Sequence, residues 1–376
     1  MAAMETQRFD AIVIGAGMAG ATAAAHLATT MKVALLEAEE SAGYHTTGRS
    51  AAIWIQNYGP ADVRKLSAAS RAFFENPPPG FAAAPIFSPR PVVTLAPEEQ
   101  RATLEAMLNA GEGLEPIALE EVAAMVPPLR RDYAVAAAIE RDAFDMDVAA
   151  LHQGFLQSLR QAGGVIALRH RAGRIGFAHG RWEAETASGA RFTAPVVVDA
   201  AGAWGDEVAR IAGVAPIGLQ PKRRTALIVD PGAHDCSTWP LLGDAAHGWY
   251  VRPEARRKLM VSPADETDMD PHDVQPDELD VAIAVDRMQG ALDIPVQRVE
   301  HRWAGLRSFT PDRSLAIGPD ADAPGFFWMI GQGGYGIQTA PAAGALLAAT
   351  VRGEDPGALA PVLPLVDPNR FRGARA

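Results

Sequence analysis

The chain has a single cysteine, Cys236, in 376 residues. That excludes an internal disulfide and any multi-cysteine metal site, and it suits a reducing compartment. Nine histidines are present but none falls in a His-x-His or His-Glu-x-x-His spacing, so no metal site is expected. Basic residues are outnumbered: 34 Lys+Arg against 45 Asp+Glu leave a net charge of −11, and an acidic chain is a poor partner for nucleic acid. Residues 1–10 lack the basic start and apolar stretch of a signal peptide, so a cytoplasmic location is expected. One apolar run, residues 11–28, is long enough to suggest a membrane span. Gly15, Gly17, Gly20, Thr22 and His26 interrupt it, and it reads instead as strand, tight turn and helix. No integral membrane association is expected. There is no repeat and no low-complexity tail. Hydrophobic residues at 48% and charged residues at 21% describe a globular protein, and the length exceeds what one compact core usually fills, so two domains are expected.

Residues 9–14 form a short apolar run suited to a buried parallel strand, followed at once by Gly15-Ala-Gly-Met-Ala-Gly20, a helical stretch, a second strand over 32–36, and Glu37. This is the dinucleotide fingerprint in its required context. Gly15 permits the tight turn, Gly17 the close approach of a pyrophosphate, and Gly20 the packing of helix on strand. Met18 and Ala19 open the helix, whose free N–H groups and dipole favour phosphates. Glu37 is placed to accept bonds from ribose hydroxyls and to repel a 2′-phosphate.

The fingerprint alone does not separate NAD from FAD. Three further segments favour FAD. Residues 41–52, with Thr47, Gly48, Arg49, Ser50 and Ala51, make a small-residue loop able to lie against a large planar ligand. A buried strand at 195–199 runs into Ala201, Gly202 and Trp204, where small residues let a cofactor reach backbone. A strand at 325–330 leads through Gly333, Gly334, Tyr335, Gly336, Ile337, Gln338 and Thr339 into a helix from about 340 to 351. Its N-terminal dipole suits the N1/C2 edge of an anionic reduced flavin. Between these segments, the spacing predicts a helix over 147–162, a hairpin over 181–193 turning at Ser188-Gly189, and strands near 91–95, 223–229, 249–252 and 258–261.

Residues 13–20, 43–52, 199–204, 303–309 and 331–339 resemble the FAD-dependent D-amino acid oxidase/dehydrogenase superfamily. Residues 67–74, 76–78, 88–91, 219–224 and 272–276 look most like bacterial D-arginine dehydrogenase within it. The resemblance implies an α/β fold. A Rossmann-like, glutathione-reductase-like FAD domain would be built from residues 8–80, 145–217 and 302–376. An inserted α+β substrate domain of mixed β-sheet would take residues 81–144 and 218–301. It also implies non-covalent FAD, since Cys236 lies outside the flavin-contact motifs, with oxygen or a quinone as electron acceptor. The reaction implied is oxidative deamination of D-amino acids. Alternatives on the same fold are a D-arginine or broad basic D-amino acid dehydrogenase and a glycine-, sarcosine- or proline-type amine oxidase. A flavin-holding module without turnover is an alternative of another class.

In that family arginines and tyrosines hold the substrate carboxylate, and Arg224, Arg307, Tyr58 and Tyr250 stand at the matching positions. The chemistry is sound by itself: a guanidinium offers a carboxylate a bidentate fork, and a phenol adds a neutral donor. The Gly334 carbonyl and the Gln338 side chain are expected to accept bonds from the substrate amine. His45 is a candidate proton handler, though a packed loop histidine fits it better. The departures from D-arginine dehydrogenase are informative. Its loop histidine and threonine are Ile53 and Ile55 here, and the glutamate that faces the substrate guanidinium is Val92. With Leu241 these form an apolar wall. A guanidinium buried there unpaired would lose several kcal/mol, on the order of a thousandfold in affinity. An apolar side chain would gain about 1.5–3 kcal/mol per well-buried group. Apolar D-amino acids are therefore expected to be preferred over D-arginine, unless another acid such as Asp244 or Glu75 meets the guanidinium.

Overall fold

Two sheets, one parallel in the main and one mixed, dominate the computed structural model, which describes residues 6–374. Residues 1–5, part of the start considered for a targeting signal, and 375–376, the end of the third expected cofactor segment, lie outside the described residues.

The first sheet has six strands in the order Val165–Ala167, Val33–Leu36, Ala11–Ile14, Val196–Asp199, Phe326–Ile330 and Ala316–Pro319. All neighbours are parallel except the last pair. Its strands are uninterrupted apolar runs because both faces are covered. Alternate residues serve the two faces. Ala11, Val13, Val33, Leu35 and Val198 pack beneath the helices Met18–Leu27, Val148–Gln161 and Ala340–Arg352. Ile12, Ile14, Ala34, Leu36 and Val197 pack on the other side with Trp182 and Phe192. Small residues let two of the helices touch. A Cβ on Gly344 would lie 2.4 Å from Thr22 Oγ1, and that hydroxyl donates to the Ala340 carbonyl at 3.0 Å. The 11–28 run is thus strand, turn and helix, as expected. The helix expected over 147–162 is Val148–Gln161, capped by the Asp147 carboxylate on the Ala150 N–H. The 181–193 hairpin pairs Arg181–Thr186 with Arg191–Ala194 in a small four-stranded sheet.

The second sheet runs Thr267–Asp268, Gln220–Val229, Lys258–Ser262, Tyr250–Glu254, Leu241–Asp244, Val92–Ala96, Ala136–Glu140 and Leu114–Pro116. Val299–Phe309 also pairs with Gln220–Val229. The junction of Leu241–Asp244 with Val92–Ala96 is parallel and the rest antiparallel, which makes the sheet mixed. Leu227, Val229, Val251, Val261 and Met288 of the helix Glu278–Ala291 share its core. The strands expected near 91–95, 223–229, 249–252 and 258–261 all lie here, each displaced or extended by a few residues. Among the described residues, no helix is long and apolar enough to cross a membrane.

Candidate active site

One cavity of about 410 Å³ is lined by both the glycine turn and the arginines singled out in the sequence. At the glycine turn the walls are backbone. Gly15 has φ +98°, and a Cβ there would sit 2.6 Å from the Ala200 carbonyl oxygen. A Cβ on Gly20 would sit 1.7 Å from the Gly15 carbonyl oxygen, so helix and strand approach closely only because it is absent. Gly17 opens toward the cavity, its nearest neighbour in that direction being Thr47 Oγ1 at 3.4 Å. The Glu37 carboxylate is aimed by two N–H groups, from Ala16 at 2.7 Å and Glu39 at 2.9 Å. Thr47 Oγ1 accepts from the Met18 N–H at 2.9 Å. Asp199, wholly buried, closes the turn after its strand by accepting from Ala201 N–H at 3.0 Å, and burial pushes its carboxyl well above the usual range.

The other end is built from side chains. Gln220–Val229 and Val299–Phe309 run antiparallel with Lys222 opposite Arg307 and Arg224 opposite Gly305. Arg224 and Arg307 therefore share one face as diagonal neighbours, while Arg223 turns to the other face and pairs with Asp280 at 2.7 Å. Arg224 donates to the Asp265 carbonyl at 2.9 Å and approaches Glu266 at 3.3 Å. Arg307 donates to the Tyr58 hydroxyl at 3.1 Å and, among the described residues, is paired with no carboxylate. Burial and the like charge of Arg307 push the Arg224 pKa down. Burial pushes the Tyr250 phenol up, but the guanidiniums of Arg307 and Arg224 outweigh it and hold the phenol below its usual value. Gly334 lies against this group: a Cβ would come within 2.6 Å of the Tyr58 hydroxyl and 2.9 Å of Arg307 Nη1. Beside Tyr250, Val92, Leu241 and Ala143 are buried in one apolar cluster with Ile53 and Ile55 packed on it. The four residues expected to form a wall lie in one cluster beside Tyr250, but neither they nor Tyr58 are among the residues that line the cavity.

Residues 10–350 match the family model described as DAO, FAD dependent oxidoreductase. The chain belongs to that family. It is 29% identical over 175 residues to FAD-dependent oxidoreductase domain-containing protein 1 of Bos taurus, a match over 42% of this chain and 35% of that protein. The chain thus spans about a third of the length of this relative. The fold is similar to L-proline dehydrogenase from P. horikoshii (TM-score 0.84, 20% identity, 98% of this chain and 99% of that one). It is also similar to glycine oxidase from Geobacillus kaustophilus (TM-score 0.82, 19% identity, 93% and 96%).

The residues fit the family's FAD. The missing Cβ at Gly17 leaves backbone open to a pyrophosphate, Gly15 lets the turn pack on Ala200, and Glu37 is oriented for a ribose. Met18, Ala19, Thr47, Ser50, Ala51, Ala201, Gly202, Trp204, Gly333, Gly336 and Ile337 line the same cavity. Five expected cofactor residues stand behind that surface. Gly20 packs on Gly15, and Gly48 closes a turn through its N–H on the Gly43 carbonyl. The Tyr335 ring is buried against Tyr58 at 5.1 Å, and Thr339 Oγ1 donates to the Tyr335 carbonyl. Gln338 corrects an expectation. Its Oε1 accepts from Ile55 N–H at 3.3 Å, its amide donates to Ser67 Oγ at 2.7 Å and the Ile55 carbonyl at 3.3 Å, and the side chain is 2% exposed and does not line the cavity where a substrate amine would sit. Arg49 lines the cavity, but its guanidinium ties the loop to the second sheet through the Ala304 carbonyl at 2.9 Å and Asp273 at 2.5 Å. His45 is packed between Tyr44 and Trp204 with Nε2 3.2 Å from Glu39.

Neither alternative acid meets the pocket. Asp244 accepts from Gly248 N–H and Gln100, and Glu75 pairs with Arg71. Reading the sequence missed His170, Arg171 and Ala172, which line the cavity. The signal was the strand at 165–167, whose end lies beside that of 33–36 once the two pair.

Proposed function

We propose that this chain oxidises the Cα–N bond of D-amino acids with apolar side chains. The observation that carries the reading is Arg307. It is a half-buried guanidinium that donates to a phenol and, among the described residues, pairs with no carboxylate, one strand from Arg224 and against Gly334 of the cofactor cavity. A cation largely withdrawn from water in this state calls for an anionic ligand. Arg224 and Arg307 would clamp the substrate carboxylate, Tyr58 and Tyr250 would donate to it, and the Gly334 carbonyl would accept from the amine. Bound FAD would supply the two-electron acceptor for the hydride leaving Cα. The nitrogen lone pair forms the C=N bond as that hydride departs, and the amine must be neutral to offer it. Orientation by the clamp then supplies much of the rate without a strong side-chain base. Water hydrolyses the imino acid to a 2-oxo acid and ammonia. The substrate side chain would rest on Ile53, Ile55, Val92 and Leu241. In this reading the six-stranded sheet and its helices form the cofactor domain, and the mixed sheet forms the substrate domain.

The test is anaerobic bleaching of the holoenzyme's flavin by D- and L-amino acids, glycine, sarcosine and proline. D-Leucine, D-methionine and D-phenylalanine should exceed D-arginine in kcat/KM by tenfold or more. D-Arginine winning by that margin refutes the apolar wall. Preference for a secondary amine moves the reading to a sarcosine- or proline-type oxidase. No reduction by any amino acid leaves a flavin module without turnover. Reoxidation of the reduced protein by oxygen and by a quinone, measured side by side, identifies the acceptor.

A further inference from the structure

We propose that Glu140 is a positioning residue for Tyr58, acting through the backbone of residues 56–57. The inference rests on the reading of Tyr58 as part of the carboxylate clamp. Glu140 ends the strand Ala136–Glu140 and is 3% exposed. Among the described residues it pairs with no cation. Its oxygens face the chain just before Tyr58: Oε1 accepts from Gln56 N–H at 2.9 Å and Asn57 N–H at 3.4 Å, and Oε2 accepts from Asn57 Nδ2 at 2.8 Å.

Other bonds hold the neighbouring positions. Asn57 exchanges two bonds with the Glu112 backbone, each 2.9 Å. Ile55 is held on both its N–H and its carbonyl by Gln338. The next side chain, Tyr58, presents its hydroxyl to Arg307. Three N–H donors converge on Glu140, and a carboxylate has two acceptor atoms to meet them. A glutamine of the same shape has one acceptor and would point an NH₂ at a donor. Shape alone therefore does not explain a carboxylate here, whereas fixing this turn does. Glu140 stands opposite Val92 in the strand register, next to the apolar wall. Both its oxygens already accept bonds from this turn.

The experiment compares Tyr58→Phe, Glu140→Gln and the double variant as holoenzymes, with flavin absorbance and melting temperature as controls on the fold. Tyr58→Phe should raise KM for D-leucine about tenfold, the worth of one hydrogen bond to a charged group. Glu140→Gln should raise KM about fivefold with kcat within about twofold, and the double variant should be no worse than Tyr58→Phe, because residues acting through one contact are non-additive. If Tyr58→Phe raises KM but Glu140→Gln leaves it unchanged, or the two effects multiply, the positioning role is wrong and the clamp stands. If Tyr58→Phe has no effect, the clamp reading of Tyr58 fails and the positioning role falls with it. A loss confined to D-arginine in Glu140→Gln would make Glu140 a counter-charge and overturn the proposal. Should Glu140→Gln fail to hold flavin, Asn57→Ala removes one of the three contacts along with the two Glu112 bonds and leaves the backbone pair; it should raise KM by less than Tyr58→Phe, and an unchanged KM overturns the proposal.

Discussion

The two ends of the cavity are built by opposite means. The glycine end is made of backbone from nearly consecutive residues, where the absence of Cβ atoms at Gly15 and Gly20 lets turn, strand and helix pack closely and Gly17 opens to the cavity. The arginine end is made of side chains from residues 58, 224, 250 and 307, brought together by strand register and one anchored turn. The backbone cradle has no room for a side chain at Gly15 or Gly20. A side-chain clamp loses strength one member at a time. The two should therefore fail differently, and separately.

The largest effect is expected at Gly20. An alanine there places a methyl 1.7 Å from a carbonyl oxygen, a clash with rigid backbone that neither helix nor strand can relieve cheaply. Gly20→Ala should lower FAD affinity by about a hundredfold or more, since a clash worth about 3 kcal/mol is enough for that factor. Flavin absorbance per mole of protein measures it, with circular dichroism to show that the chain still folds. Full flavin occupancy in this variant would break the comparison at the cradle end.

Arg307 comes next. Arg307→Ala would leave Arg224 as the one guanidinium of the proposed clamp and Tyr58 without its donor. Removing one partner of a buried charged pair costs about 2–5 kcal/mol, which is roughly 30- to several-thousandfold in KM. Arg307→Lys keeps the charge but not the fork, and should recover only part of that loss. Flavin content should stay at the wild-type level in both. A fall in flavin content equal to that of Gly20→Ala would show that the ends are not independent.

That independence also explains what could be read without coordinates. Residues 9–20 carry strand, turn and helix in one continuous stretch, so spacing alone locates the cradle. The clamp arginines were legible as types, since a cation between Leu306 and Phe309 needs an anion, but their partnership depends on Arg224 standing opposite Gly305 rather than a bulky residue. The apolar wall came from comparing residues with a resembling family, and the coordinates bring its four members together. Gln338 was misjudged because an amide beside a glycine turn suits a ligand and a neighbouring backbone equally well. Ile55 claims it. Glu140 was invisible because its partners are mainly backbone N–H groups some 83 residues away, and backbone donors leave no mark in a sequence.

The smallest effect, and the one that sharpens the clamp most, is the pH response of Tyr250. Burial opposes its phenolate, yet the fields of Arg307 and Arg224 bring its pKa below the usual 10.0. In the free enzyme the phenol therefore ionises earlier than it would in the unfolded chain. The fold gains stability as pH rises through that lowered value, a gain fully present above the unfolded value and lost as pH falls back through the folded one. Substrate binding experiences the reverse. A phenolate between the guanidiniums competes with the incoming carboxylate, so KM should climb severalfold once pH passes the lowered value, while kcat holds or rises as the bound amine loses its proton. Tyr250→Phe should raise KM about fivefold at neutral pH, through one lost hydrogen bond, and should flatten the alkaline climb. A climb that persists unchanged in Tyr250→Phe would assign the titration to another group and remove the phenol from the clamp. A flattened one would show that the two arginines act on an anion wherever it comes from, the protein's own phenolate or the substrate.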